Sequence, residues 1–165
     1  MESWSILVDK EYLKFSCAHF LIFPDGSKER LHGHNYHVVV EVAARLGRHG
    51  LVIDFKQVKP IARRLCDFLD EHWLIPGLHP ELQWRQREDA HVEVAYRGSR
   101  YLVPTDEVIV LPINNASAEN FAAWFGRTLL AELRAGFGEM EVERLRVEVS
   151  ETPGQSGVYT VTGRA

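Results

Sequence analysis

Only two cysteines, Cys17 and Cys66, occur in the 165 residues. That is too few for a disulfide framework, and a reducing cytoplasm is the expected setting. No apolar run approaches the roughly 20 residues a membrane-crossing helix needs. The start, Met1-Glu2-Ser3-Trp4, has no cationic residue ahead of an apolar stretch, so no secretion signal and no membrane partner are expected. Positive charge is not in excess: 19 Lys and Arg against 23 Asp and Glu give a net charge of −4. This argues against nucleic acid as a partner. An anionic small molecule stays open, because it needs only a local basic patch, and Lys28, Arg30 and Arg48 are candidates for one. Repeats, low-complexity tracts and long linkers are absent too. A composition 45% hydrophobic and 25% charged fits one globular domain, 1–165, long enough to bury a core without staples. Eight histidines are many for this length.

Residues 4–20 read as extended, with Ile6, Val8, Tyr12, Phe15 and Phe20 among polar neighbours. Residues 32–46 make the clearest strand: Tyr36, Val38, Val40 and Val42 share one face, and the same parity carries His32 and His34. Leu51-Val52-Ile53 reads as a short strand. Asp54 caps a helix over about 55–71 with an apolar stripe of Val58, Ile61, Leu65, Phe68 and Leu69, against which Pro60 counts. Residues 73–90, with Pro76, Gly77 and Pro80, read as a loop. Residues 91–96 and 100–111 read as two β segments, Pro104 interrupting the second. Ser117 caps a second helix, about 118–135, ended by Gly136 and Gly138. Residues 142–150 alternate as a strand, and 158–163 return after the turn at 153–157. The expected class is α+β, built on antiparallel hairpins.

On a strand, His32 and His34 present two imidazoles to one side. Gly33 between them admits a neighbouring backbone or ligand. If strand 4–20 pairs with strand 32–46, His19 meets that pair. Three imidazoles with one open position form a catalytic-type zinc site. Taken alone, His-x-His reads equally well as two hydrogen-bonding histidines.

More residues join the pattern. Phe15-Ser16-Cys17-Ala18-His19, followed after twelve residues by His32-Gly33-His34-Asn35-Tyr36, resembles the signature of the 6-pyruvoyl-tetrahydropterin synthase family. That family includes the 6-carboxy-tetrahydropterin synthases. Val52-Ile53-Asp54-Phe55, Leu69-Asp70-Glu71-His72, Asn115-Ala116-Ser117-Ala118-Glu119-Asn120 and Val149-Ser150-Glu151-Thr152 match family segments in the right order. The resemblance covers about 3–79 and 112–163 and leaves 80–111 as an insertion. It implies the tunnelling fold, a four-stranded antiparallel sheet with two helices on one face. The sheets of three subunits close into a barrel, two trimers stack into a homo-hexamer, and active sites lie between subunits. Closure would remove the exposed edge strands of a lone sheet. It also implies zinc on His19, His32 and His34, and a pterin held by Glu151 with Thr152 beside it. The implied substrate is of the 7,8-dihydroneopterin triphosphate type.

Two acid–base positions depart from the family pattern. Lys28 stands where members carry a catalytic cysteine, and after Asp70 comes Glu71, with the histidine one later as His72. Glu29 resembles the variant branch in which a glutamate replaces the cysteine and the side chain is cleaved to give 6-hydroxymethyl-7,8-dihydropterin. A partly buried carboxylate can serve as such a base. Cys17 is the second candidate, because its parity puts it on the side of His19, where zinc and imidazoles would favour a thiolate. Asp70 and His72 would complete the relay, with Glu71 replacing the family histidine or turning outward. A homologue that binds zinc and pterin without synthase chemistry is the remaining reading.

Overall fold

The computed structural model describes residues 2–137 and 142–162. Gly138 and Gly163, named above as a helix terminator and a strand end, lie outside the described residues. The elements in chain order are β1 (Ser5–His19), β2 (His32–Ala44), α1 (Phe55–Leu69), β3 (His72–Pro76), β4 (Gln83–Gln86), β5 (His91–Tyr96) and β6 (Ser99–Pro104). A 3-10 turn at Thr105–Glu107 leads to β7 (Val108–Leu111), α2 (Ala118–Gly136), β8 (Val142–Thr152) and β9 (Gln155–Thr162). No described helix is long and apolar enough to cross a membrane.

The main sheet has six strands in the order β7-β3-β1-β2-β8-β9, not four. The expected antiparallel four, β1, β2, β8 and β9, are contiguous within it. The addition is β3 and β7, joined in parallel to the edge of β1. A lone β1 edge would leave its backbone groups unpaired, and β3 meets them at Cys17↔His72 and Ala18↔Trp73. The segment 73–90 is therefore not simply a loop, since it holds β3 and β4. The stretch 100–111 is split by the turn at 105–107, and its halves enter different sheets, because β4-β5-β6 form a second sheet of three strands. Leu51-Val52-Ile53 makes no strand: Ile53 is buried in the core while Leu51 stays exposed.

Both helices start as their caps dictate. Asp54 accepts a hydrogen bond from the Lys56 amide, and Ser117 from the Asn120 amide. Helix α1 runs through Pro60, giving up the hydrogen bond its missing N–H would donate. Its buried face is Val58, Ala62, Leu65, Cys66 and Leu69. Phe68, expected in the stripe, is half exposed and stacks on Trp124 of α2 at 5.9 Å.

One core lies between the helices and the sheet face carrying Phe15, Tyr36, Val38, Val40, Leu145, Val147 and Val149. A register shift between Asp9 and Lys14 in β1 puts Val8 and Phe15 on the same face despite their odd spacing. A second core, of Phe20, Ile22, Trp73, Ile75, Val92, Val94 and Tyr96, fills the space under the small sheet.

Strand β9 crosses α2 so closely at Gly157 that an added Cβ would lie 2.3 Å from the Ala118 carbonyl carbon and the Glu119 amide nitrogen. Backbone atoms cannot step aside as a flexible side chain can. Gly157→Ala is expected to destabilise the fold by about 1–3 kcal/mol, the usual cost of overpacking. Denaturant melting measures this, and an unchanged midpoint would contradict the close crossing.

Candidate active site

The antiparallel register of β1 and β2 sets His19 opposite His32 and Cys17 opposite His34. Side chains facing each other across a ladder lie on one sheet face. The rings of His19, His32 and His34 converge there with centroids 4.8, 4.9 and 5.3 Å apart, and one nitrogen from each lies within 4.8 Å of the others. Gly33 allows this convergence, since a Cβ there would sit 3.2 Å from the Cys17 carbonyl oxygen.

The outer nitrogens fix the ring states. His19 Nδ1 lies 2.7 Å from the Ala116 carbonyl oxygen, and His32 Nδ1 lies 2.7 Å from that of Arg30. A carbonyl only accepts, so each Nδ1 carries a proton and Nε2 is the nitrogen turned toward the other rings. Such backing is how proteins orient imidazoles toward a metal ion. His19 is 1% exposed, and burial lowers its pKa below the ordinary histidine value, only partly offset by the Ala116 hydrogen bond. A neutral imidazole is the metal-binding form, so the donor set fits a metal ion.

Two carboxylates bracket the triad. Glu29 Oε2 is 3.9 Å from His32 Nε2 and accepts a 3.1 Å hydrogen bond from the Leu21 amide. Glu151 Oε1 is 3.4 Å from both His19 Nε2 and His34 Nε2. It also accepts a 2.9 Å hydrogen bond from the Tyr36 hydroxyl. Tyr36 is fully buried, and burial holds its phenol neutral by raising its pKa. Strand parity placed Tyr36 on the histidine face, but its role as the partner of Glu151 was missed. The parity was the signal that could have revealed it. Glu151 also lines a recess of about 410 Å³ with Ser117, Glu119, Gln155 and Gly157. Thr152 does not line that recess; its hydroxyl donates to Gln155 Oε1 at 3.0 Å across the hairpin.

The other candidates have different surroundings. The Cys17 side chain belongs to the helix-side core. Burial, with Glu151 and Asp70 adding to it, pushes the thiol up to about 12. Asp70 caps the end of α1 and accepts from the Ser16 amide at 2.6 Å. Glu71 has φ of 60° and donates its amide to the Ser16 carbonyl at 2.7 Å. This is a strained conformation for a non-glycine residue, held here by the clamp on β1. Glu71 and His72 line a larger cavity of about 540 Å³ together with Cys17, with His34 of the triad, and with Ser16, Asn35 and Trp73. Ser16 and Asn35 belong to the sheet face opposite the triad, by the alternation of their strands. Among the described residues no hydrogen bond or ion pair links Asp70, Glu71 or His72 to the triad. Lys28 is turned away from the histidines: its Nζ donates to the Tyr101 hydroxyl at 2.8 Å and to the Glu29 carbonyl at 3.0 Å.

Comparison with known proteins gives one picture. The family model described as 6-pyruvoyl tetrahydropterin synthase matches residues 8–162. A protein of Methanocaldococcus jannaschii described as a putative 6-carboxy-5,6,7,8-tetrahydropterin synthase is 32% identical over 148 residues, covering 89% of each chain. The 6-pyruvoyl tetrahydropterin synthase of Plasmodium vivax superposes with a TM-score of 0.90 at 28% identity, over 99% of this chain and 100% of that one. Its Plasmodium falciparum counterpart gives 0.91 at 27% identity, with the same coverage. Two further P. vivax structures are described as mutants of a catalytic residue, a glutamate replaced by alanine and by cysteine.

Proposed function

Because the chain belongs to the 6-pyruvoyl tetrahydropterin synthase family, we propose that it is a zinc-dependent pterin enzyme acting on a 7,8-dihydroneopterin-triphosphate-type substrate, with Glu29 as its acid–base group. The observation that carries this reading is the histidine triad bracketed by Glu29 and Glu151. Three nitrogen donors and an open position suit zinc, held by His19, His32 and His34. Zinc bound there supplies Lewis acidity toward the hydroxyls of the substrate side chain.

The chain's own residues do the rest. Glu151 accepts hydrogen bonds from the aminopyrimidine edge of the pterin, which sits in the recess between the α2 N-terminus and the β8–β9 turn. Glu29 takes the proton from a side-chain hydroxyl; as the carbon–carbon bond breaks and the outer fragment leaves as an aldehyde, it returns the proton to the carbon that stays on the pterin. Glutamate at this place favours side-chain cleavage to 6-hydroxymethyl-7,8-dihydropterin over triphosphate elimination, and the catalytic glutamate described for the P. vivax enzyme supports a carboxylate in this role. Product analysis with 7,8-dihydroneopterin triphosphate tests the reading. Loss of the side chain is expected. Triphosphate elimination would restore the synthase reaction, and binding without turnover would mark a homologue that has lost the chemistry.

Asp70, Glu71 and His72 are assigned to the site of a neighbouring copy in a hexamer of two stacked trimers. Sedimentation at about six times the 18.9 kDa chain mass is expected. A stable monomer at micromolar concentration would remove both the hexamer and the shared site.

Glu151→Ala is expected to weaken pterin binding by about 2–3 kcal/mol, the worth of hydrogen bonds to a charged acceptor. Titration with 7,8-dihydroneopterin measures it. Unchanged affinity would take Glu151 out of the pterin site.

A further inference from the structure

Glu29 sits on the connection between β1 and β2, residues 20–31, and irregular connections are the least restrained parts of a fold. This one is held at several points. The Glu29 amide donates to the Leu21 carbonyl at 3.0 Å, and the Leu21 amide returns a bond to the Glu29 carboxylate. Asn115 grips the backbone of Ile22 from both sides, donating to its carbonyl at 2.8 Å and accepting from its amide at 3.1 Å. The remaining anchors come from the small sheet. The Tyr96 hydroxyl donates to the Gly26 carbonyl at 3.0 Å. Phe20 and Ile22 pack into the core beneath that sheet.

Lys28 joins the two parts. Its ammonium donates to the Tyr101 hydroxyl and to the main-chain carbonyl of Glu29 itself. It also lies 4.7 Å from the centre of the Phe20 ring and 5.4 Å from that of Tyr101. The charge is thus held by two acceptors and two aromatic faces, none of which belongs to the histidine triad.

We propose that Lys28 and Tyr101 are positioning residues that hold Glu29 at the triad, and that the small sheet formed by residues 83–104 serves as the brace for this acid–base group. The inference rests on the reading of Glu29 as the proton acceptor. Lys28 fixes the backbone of Glu29, the Leu21 amide fixes its carboxylate, and Tyr101 ties Lys28 to a packed sheet. Displacement of a catalytic group by about 1 Å is enough to cost on the order of 100-fold in rate.

The test uses zinc-loaded enzyme and 7,8-dihydroneopterin triphosphate. Lys28→Met and Tyr101→Phe are expected to lower kcat by about 10- to 100-fold with KM and metal content unchanged. Lys28→Arg should recover part of the loss. Hydrogen exchange at the Leu21 and Glu29 amides should quicken in Lys28→Met. In a Glu29→Gln background, Lys28→Met should reduce kcat no further, because it acts only through that carboxylate. Unchanged kcat and unchanged exchange in both variants would overturn the brace while leaving the Glu29 reading intact. A full additional loss in the Glu29→Gln background would also overturn it, since Lys28 would then act by another route. Full turnover in Glu29→Gln alone would remove the reading on which the brace rests. Should Lys28→Met fail to fold, Tyr101→Phe, which keeps the ring and removes one acceptor, decides alone.

Discussion

Glu29→Gln is expected to lower turnover by about 10²- to 10⁴-fold, the range that a positioned general acid or base contributes, and to leave metal binding unchanged. Glutamine keeps the length and shape of the side chain. It also keeps an oxygen that can accept from the Leu21 amide, as the carboxylate does at 3.1 Å. What it cannot do is take a proton from the substrate side chain. The 3.9 Å between Glu29 Oε2 and His32 Nε2 puts the carboxylate at the edge of the triad, in reach of a group held by the metal but not among the three imidazoles. Cys17→Ala is the matched control. The Cys17 side chain is buried in the core, with its thiol pushed up to about 12, so its loss removes packing and not a proton acceptor. Steady-state rates of the two variants, each assayed for zinc, decide the ranking. Loss of turnover in Cys17→Ala alone would reverse it, and full activity in Glu29→Gln would place the proton transfer elsewhere.

His34→Ala is expected to take bound zinc from about one ion per chain to almost none, because a three-ligand site has no spare donor. The two remaining imidazoles are held rigidly, and neither can move into the vacated position. His19 is fixed by the Ala116 carbonyl and His32 by that of Arg30. Elemental analysis after dialysis against a chelator gives the stoichiometry, and an unchanged value would exclude His34 as a ligand. Zinc affinity of the unmodified protein should fall with pH, since protons compete for the imidazole lone pairs. Burial lowers the pKa of His19, so that ring stays available to metal at lower pH than an ordinary histidine does.

Strand parity made the triad legible before any coordinates. His32 and His34 had to share a face, and the pairing of 4–20 with 32–46, a condition in the sequence, brings His19 to them in the structure. The capped helices and the alternating strand at 142–150 were equally plain. Strand β3 was hidden because Trp73-Leu74-Ile75 is a short apolar run ended by Pro76 and Gly77, and those breakers also signal a loop. Parallel pairing with β1 decides the matter, and nothing local announces it. Pro104 marked a break in 100–111 but could not tell that its two sides enter different sheets. The direction of Lys28 was out of reach because its partner Tyr101 is 73 residues away. The Ser16 amide that meets the Asp70 carboxylate was equally out of reach, 54 residues away in the chain.

The seam between β1 and β3 consists of two residue pairs, whereas β1 and β2 pair along most of their length. Two hydrophobic cores meet at β3, which sends Leu74 into the helix-side core and Trp73 and Ile75 into the core under the small sheet. Such a junction divides a chain into cooperative units that open at different free energies. The small sheet with Phe20, Ile22, Trp73 and Ile75 beneath it forms one unit, and the helices with the four antiparallel strands form the other. His19, His34 and Glu151 belong to the second, while Phe20 and Ile22, next to Glu29 on the connecting loop, are rooted in the first. Partial unfolding of the first unit would silence the acid–base group and leave the metal bound. Gentle heat or low denaturant should therefore give an inactive protein that still holds its zinc.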